Sequence, residues 1–365
     1  MVVVDVYMMF PLLIMMFVVV ANGITLDQAR YLVSHNHSTG IYLFGDSTVD
    51  TGNNNVILPT PIKSDFPPYG VNYYDGKPTG RFCDGRLATD ILADSFGFSK
   101  VIPAYYDCSP ASEQLKYEAN TVSFAFAGSG LNSFTDFEVQ VPHLSTQLHN
   151  FENYKQTLAA IKGNESADEI IKKAICMIST CANDFVENYF NPLSPQHLAL
   201  TLDEFEDTLV ASMHHTIIGL RKIGCRRVVV YGCSCLGCLP IVKSLSGNTT
   251  GPCVEKFNQA AISTNSKLIK DFAKLERSYN VKIAFVDIFD PFSDMIYNPH
   301  KYGFKESSRG CCGKGTVEFA LLCKNKPICS NPREYVFFDA VHPSEEAYKV
   351  LAATSLASFE YEFFL

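Results

Sequence analysis

Short apolar runs alternate along this chain with stretches in which apolar residues recur three and four positions apart. Ile41–Phe44, Val122–Ala127, Ala174–Ser179, Arg227–Tyr231 and Lys282–Val286 are mostly continuous apolar runs. Continuous runs predict strands buried on both faces, as in a parallel sheet. Helical spacing appears in Leu87, Ala88, Ile91 and Leu92, and again in Leu209, Met213, Ile217 and Leu220. In the stretch 254–279 the apolar face is Phe257, Ala261, Leu268, Phe272 and Leu275. A last helix is expected to start near Ser344, where Pro343-Ser344-Glu345 reads as a helix start, and to run through Tyr348, Leu351 and Ala352. Strand–helix alternation of this kind predicts an α/β fold, a three-layer sandwich on a mainly parallel sheet. In such sheets ligands sit beyond the carboxyl ends of the strands, so chemistry is expected there.

Two Gly- and Pro-rich loops, 59–80 and 298–329, interrupt the alternation, and no internal repeat is present. With 365 residues, 47% of them hydrophobic, the chain can build one large core. No linker divides it, so residues 24–365 are expected to form a single domain. The net charge is −8 and no Lys/Arg run is long enough to track phosphates, which argues against a nucleic-acid partner.

Residues 1–23 read as a secretory signal peptide, with Met8–Val20 as its apolar centre and cleavage near Ala21 to Gly23. The n-region departs from the usual pattern, since it carries Asp5 and neither Lys nor Arg. The alternative is an uncleaved anchor, but the apolar run of about 15 residues falls short of the roughly 20 needed to span a bilayer. No stable membrane span is therefore expected after signal removal. Glycosylation triplets at Asn36, Asn164 and Asn248 agree with a secreted, extracellular protein. So do the thirteen cysteines, several of them clustered in expected loops. Cys238 is expected to pair with Cys253, and a further bridge is expected among Cys311, Cys312, Cys323 and Cys329. A zinc site is the weaker reading, because the ligands lack finger spacing. The odd total leaves at least one thiol over, and Cys176, inside an apolar run, is the candidate for a buried free one.

Four motifs stand at the ends of expected strands. Phe44-Gly45-Asp46-Ser47 comes after the first, where Gly45 permits a sharp turn and Ser47 can face the site and offer its own N–H to an oxyanion. Phe338-Asp339-Ala340-Val341-His342-Pro343 lies near the C-terminus. A serine hydroxyl needs a base to take its proton, and an Asp three residues before a His can hold the imidazole in the productive tautomer. Asn183, after the third strand, could donate to an oxyanion, and Gly128 or Gly130, after the second, could bring a backbone N–H to the same point. Taken singly, each motif is ordinary loop chemistry. Together they supply nucleophile, base, orienter and oxyanion donors, the set required for acyl transfer from an ester without metal or organic cofactor.

The ordered motifs resemble the plant GDSL-type esterase/lipases, a branch of the SGNH hydrolases, over nearly the whole chain after residue 23. Besides the Ser47 turn with Asp50-Thr51-Gly52-Asn53-Asn54-Asn55, they include Pro78-Thr79-Gly80-Arg81-Phe82, Gly85-Arg86-Leu87 and Leu236-Gly237-Cys238-Leu239-Pro240. Arg309-Gly310-Cys311-Cys312-Gly313 and the Asp339/His342 segment complete the series. The resemblance implies a flavodoxin-like sandwich with five core parallel strands. It implies Ser47 as nucleophile, Asp339 and His342 as its Asp–His pair, and Ser47, Gly128 and Asn183 as oxyanion donors. It also implies a secreted plant glycoprotein acting on lipid, cutin-type or acetylated carbohydrate esters. Thr48 stands where Leu is usual, Cys181 where Gly is expected, Ser123 where Asn is usual and Phe338 where Trp is frequent. Alternatives on the same fold are a non-catalytic binding or modifier protein and an acyltransferase using the same acyl-enzyme. Phe185, Tyr189 and Phe190 are candidates for an acyl pocket or for the core.

Overall fold

The computed structural model describes residues 38–57, 60–108 and 120–359. The expected signal segment and Asn36 lie outside them. Five parallel strands form the central sheet: β1 Ile41–Gly45, β2 Thr121–Ser123, β3 Ile175–Ser179, β4 Arg227–Tyr231 and β5 Lys282–Val286, in the order β2-β1-β3-β4-β5. Ile41–Phe44 and Ile175–Ile178 are wholly buried, as a strand covered on both faces requires. β2 is shorter than the six-residue apolar run that marks it. Phe124 and Phe126 still donate to Leu43 and Gly45 of β1, but Asn53 Nδ2 takes the Ser123 and Ala125 carbonyls on the edge where another strand would bind.

The principal helices are α1 Ala88–Ser95, α2 Ser133–Val139, α3 Leu144–Lys162, α4 Asn164–Lys173, α5 Leu202–Ile223, α6 Glu255–Tyr279, α7 Phe289–Tyr297 and α8 Glu345–Phe359. One layer holds α3, α5 and α6 in contact, and the other holds α1, α7 and α8, which gives an α/β/α sandwich. α5 shows why such a segment is a helix. Phe205, Leu209, Met213, Ile217 and Leu220 bury one face at helical spacing, and Thr201 with Glu204 closes a capping box at its start. α8 starts one residue after Ser344, whose hydroxyl accepts the Ala347 N–H. A small parallel pair, β6 Glu306–Gly310 with β7 Tyr335–Phe337, lies outside the main sheet.

The expected Cys238–Cys253 bridge is present, and the C-terminal cluster forms two bridges, Cys311–Cys329 and Cys312–Cys323. Cys176 corrects the expectation of a free thiol. It pairs with Cys225, because β3 and β4 run side by side and Cys225 lies just before β4, with Cα atoms 6.6 Å apart. The buried free thiols are Cys83 and Cys235. Among the described residues no helix is long and apolar enough to cross a membrane, and no cluster of three or more His, Cys, Asp or Glu could hold a metal.

Candidate active site

The site grows from the end of β1. Gly45 has φ +129°, and a Cβ there would lie 1.9 Å from the Ser179 carbonyl of β3, so only glycine fits. Gln147 of α3 holds this peptide from the side, accepting the Gly45 N–H at 2.8 Å and donating to the Gly45 carbonyl at 2.9 Å. The chain then makes one helical turn, with the Val49 and Asp50 N–H groups donating to the Asp46 carbonyl. Ser47 emerges at the carboxyl edge of the sheet with 7% of its surface exposed. The Asp46 carboxylate accepts from the Thr48 amide and hydroxyl, and Thr48 Oγ1 lies 2.7 Å from Ser179 Oγ. Thr48 therefore ties the turn to β3 through a polar contact that a Leu could not make. Burial pushes the Asp46 carboxyl up to about 6, opposed by those two hydrogen bonds.

His342 reaches Ser47 from the segment after β7. Its Nε2 lies 2.8 Å from Ser47 Oγ and its Nδ1 lies 2.7 Å from Asp339 Oδ2. Asp339 is fully buried and its carboxylate is saturated. Oδ1 accepts the amides of Val341 and His342, and Oδ2 also accepts the Tyr69 hydroxyl at 2.7 Å. An acceptor so placed puts the imidazole proton on Nδ1 and leaves Nε2 as the lone-pair nitrogen facing the serine. Tyr69 is held in turn by the Ala320 N–H, and the His342 ring packs on Phe82 with centroids 4.9 Å apart. The Cys311–Cys312 segment lies beneath, donating from both amides to the carbonyls of Phe337 and Phe338.

On the opposite side, Asp50 anchors the end of the β2 segment. It accepts the amides of Gly52, Asn53 and Ala127, while Asn54 Nδ2 donates to the Ala127 carbonyl. Gly128 comes next and lines a cavity with Ser47, Asn183 and His342. Of the two candidate glycines, Gly130 has its amide on Asp136 Oδ1 at 2.6 Å. Asn183 lines the same cavity, and its Nδ2 donates to the Ser129 carbonyl at 2.9 Å, which orients the amide and leaves its second hydrogen available. Asp184 locks the two loops together by accepting the amides of Leu131 and Asn132 and the Thr135 hydroxyl. Burial raises the Asp184 carboxyl to about 7 despite these donors. Cys181 adopts φ +144°, a conformation that suits the Gly expected there, and is bridged to Cys233 after β4.

Ser47, Asp339, His342, Gly128 and Asn183 thus converge at one sheet edge. Phe185, Tyr189 and Phe190 do not. They pack among themselves and on Phe205 and Phe257 in the core. The cavity walls take Val186 and Glu187 from the same wide turn, 184–189, whose Phe190 N–H reaches back five residues to the Phe185 carbonyl. Two cavities share Ser47. One is lined by Ile62, Leu239, Ile241 and Phe319, and the other by Ala88, Ile288, Phe292, Tyr348 and Leu351. Sequence reasoning misses Tyr69 and Gln147. Tyr69 sits in a Pro-rich loop with no periodicity, and Gln147 is a polar residue on a buried helix face. Of the described glycosylation triplets, Asn164 is exposed at the start of α4, whereas Asn248 is half-buried and donates to the Pro252 carbonyl.

Residues 41–354 match the model of the GDSL-like lipase/acylhydrolase family. A GDSL esterase/lipase of Arabidopsis thaliana is 39% identical across 92% of this chain and 91% of its own length. The GDSL esterase/lipase APG of the same plant is 42% identical across 86% of this chain and 88% of its own length. The chain belongs to the GDSL-like lipase/acylhydrolase family, whose members are carboxylic ester hydrolases.

Proposed function

We propose that this chain cleaves carboxylic esters through an acyl-Ser47 intermediate. The observation that carries the reading is the chain of contacts Ser47 Oγ–His342 Nε2 and His342 Nδ1–Asp339 Oδ2, at 2.8 and 2.7 Å. His342 Nε2 takes the Ser47 proton as Oγ attacks the ester carbonyl, then gives it to the departing alkoxide. Asp339 holds the ring and stabilises the imidazolium. The Ser47 and Gly128 amides and the Asn183 side chain stabilise the oxyanion. Water then attacks the acyl-enzyme with His342 again as base.

The apolar walls of both cavities suit esters with aliphatic arms, which agrees with the esterase/lipase names of the relatives and with lipid or cutin-type substrates. Acetylated carbohydrate remains the third class. The protein is secreted as one domain, residues 24–365, after loss of residues 1–23, and five disulfides with sugar acceptors at Asn36, Asn164 and Asn248 support an extracellular setting.

The test pairs a fluorophosphonate probe with nitrophenyl esters of increasing chain length. Wild type is expected to label at Ser47 and turn over ester, and a folded Ser47→Ala protein to do neither. Unlabelled, inactive but folded wild type would overturn the enzyme in favour of a binding protein.

A further inference from the structure

The wide turn after Asn183 places an acid in a cavity whose walls, apart from Ser47, Asn183 and His342, are apolar. This cavity, of about 140 Å3, opens beside Ser47 and Gly128. Ile62, Val186, Leu239, Ile241 and Phe319 wall it, and Glu187 is its one carboxylic acid. Glu187 is half-buried as a residue, but its Oε2 is shielded from solvent and has no hydrogen-bond partner. A carboxylic acid without a hydrogen-bond partner on the wall of an apolar cavity is free to pair with a polar atom that enters it.

We propose that Glu187 recognises substrate, its carboxyl hydrogen-bonding a hydroxyl carried along the aliphatic arm of the ester. On this inference, which rests on the ester hydrolase reading, the cavity favours hydroxylated arms over plain alkyl arms. The aliphatic walls bind the methylene stem, and the acid reads one polar atom on it. A plain arm leaves the carboxyl unpaired on binding, which is the source of the discrimination.

Burial, seconded by acidic neighbours, favours the neutral form of the acid. Burial raises Glu187 to about 8, and the carboxylates of Asp184, Asp46 and Asp136 act in the same direction. Asp184 adjoins it in the same turn, Asp46 comes from the nucleophile turn, and Asp136 of α2 is itself paired with His143. His342 faces the same cavity. Above about pH 8 the carboxyl becomes an anion and accepts from the hydroxyl instead of donating to it, so the preference is expected to persist there through a charge-assisted bond.

The test uses two ester pairs, each differing by one hydroxyl. Nitrophenyl hexanoate against its terminal-hydroxy analogue varies the acyl arm, and hexyl acetate against its terminal-hydroxy analogue varies the alcohol arm. Wild type at about pH 6.5 is expected to favour the hydroxylated member of one pair by about tenfold in kcat/KM, and that pair identifies the arm in the cavity. Glu187→Leu should erase the preference. Glu187→Gln, which keeps an N–H donor in the same shape, should retain most of it and hold it unchanged to about pH 9. Ser47-dependent turnover with ratios the same in wild type and Glu187→Leu would overturn this inference alone. Absence of Ser47-dependent turnover would overturn the hydrolase reading and this inference together.

Discussion

Two histidines near the carboxyl edge of the sheet each set Nδ1 against a buried aspartate, yet they serve different ends. His342 faces Asp339, and His143 faces Asp136. Asp136 spends its other oxygen on the Gly130 amide, so that pair fastens the loop 130–143. The His143 side chain is 26% exposed and meets no serine, whereas that of His342 is 4% exposed and bonds Ser47 through its far nitrogen. A third pair, His214 with Asp271 at 2.7 Å, joins α5 to α6. A His–Asp contact is therefore not a signature of catalysis. What matters is the group at the second nitrogen, and how fully the carboxylate is held.

The sharpest break of this comparison is a matched pair of substitutions. His342→Gln is expected to lower kcat/KM by on the order of 10⁴-fold or more, and His143→Gln to leave kcat per folded molecule within about twofold. Active-site-titrated kinetics on both proteins decide it, and a comparable collapse in His143→Gln would erase the distinction.

Next in size is Asn183→Ala, expected to lower kcat by about 10²- to 10³-fold with little change in KM, since the donor acts once charge reaches the oxygen. Its bond to the Ser129 carbonyl offers a competing structural role, which predicts a lower Tm with kcat intact. Measuring both quantities on one preparation separates them.

Tyr69→Phe removes one donor to Asp339 and leaves the ring packed on Phe82 and Phe338. A fall in kcat/KM of about fivefold to tenfold is expected, the worth of one ordinary net hydrogen bond of about 1 to 1.4 kcal/mol. An unchanged rate would mean that the remaining donors hold the carboxylate alone.

The smallest effect is on stability. The hydrogen bond to Asp136, against some opposing burial, raises the pKa of His143, while burial raises that of Asp136 as well and so weakens the pair. A raised histidine contributes stability that is complete below its unfolded pKa of about 6.5 and is lost as pH rises through the folded value. His143→Gln should therefore destabilise by up to about 1 kcal/mol near pH 5.5 and by less near pH 9, read from urea melts. A cost that grows with pH would reverse the assignment.

Much of the fold and of the candidate site is legible in the sequence, for physical reasons. The core strands are apolar on both faces, so they appear as unbroken runs, and the glycine at the end of β1 has no substitute. The hidden part is polar. α3 buries Gln147 and Asn150 beside Leu144, Phe151, Tyr154 and Leu158, and those amides interrupt the periodicity that would mark the helix. β6 reads Glu-Ser-Ser-Arg-Gly, with only Gly310 buried, so nothing in its hydrophobicity announces a strand. Tyr69 lies 270 residues from Asp339 in the chain, a distance no local pattern bridges. Cys176 resembles a free core thiol because strand burial and a bridge to the next strand's entrance leave the same apolar signature.

The five-residue reach from Phe190 back to Phe185 also bears on how such a chain can diverge. A π turn is an α-helix carrying one residue too many. Deleting one residue at 185 or 186 would restore the ordinary pitch and rotate the downstream residues by about 100°. Glu187 would take the place of Val186 on the same cavity wall, and Asn188 the place of Glu187, while Asn183, upstream of the deletion, would keep its own. A change of length here would thus reset which side chains line the cavity, with Ser47, Asp339 and His342 untouched.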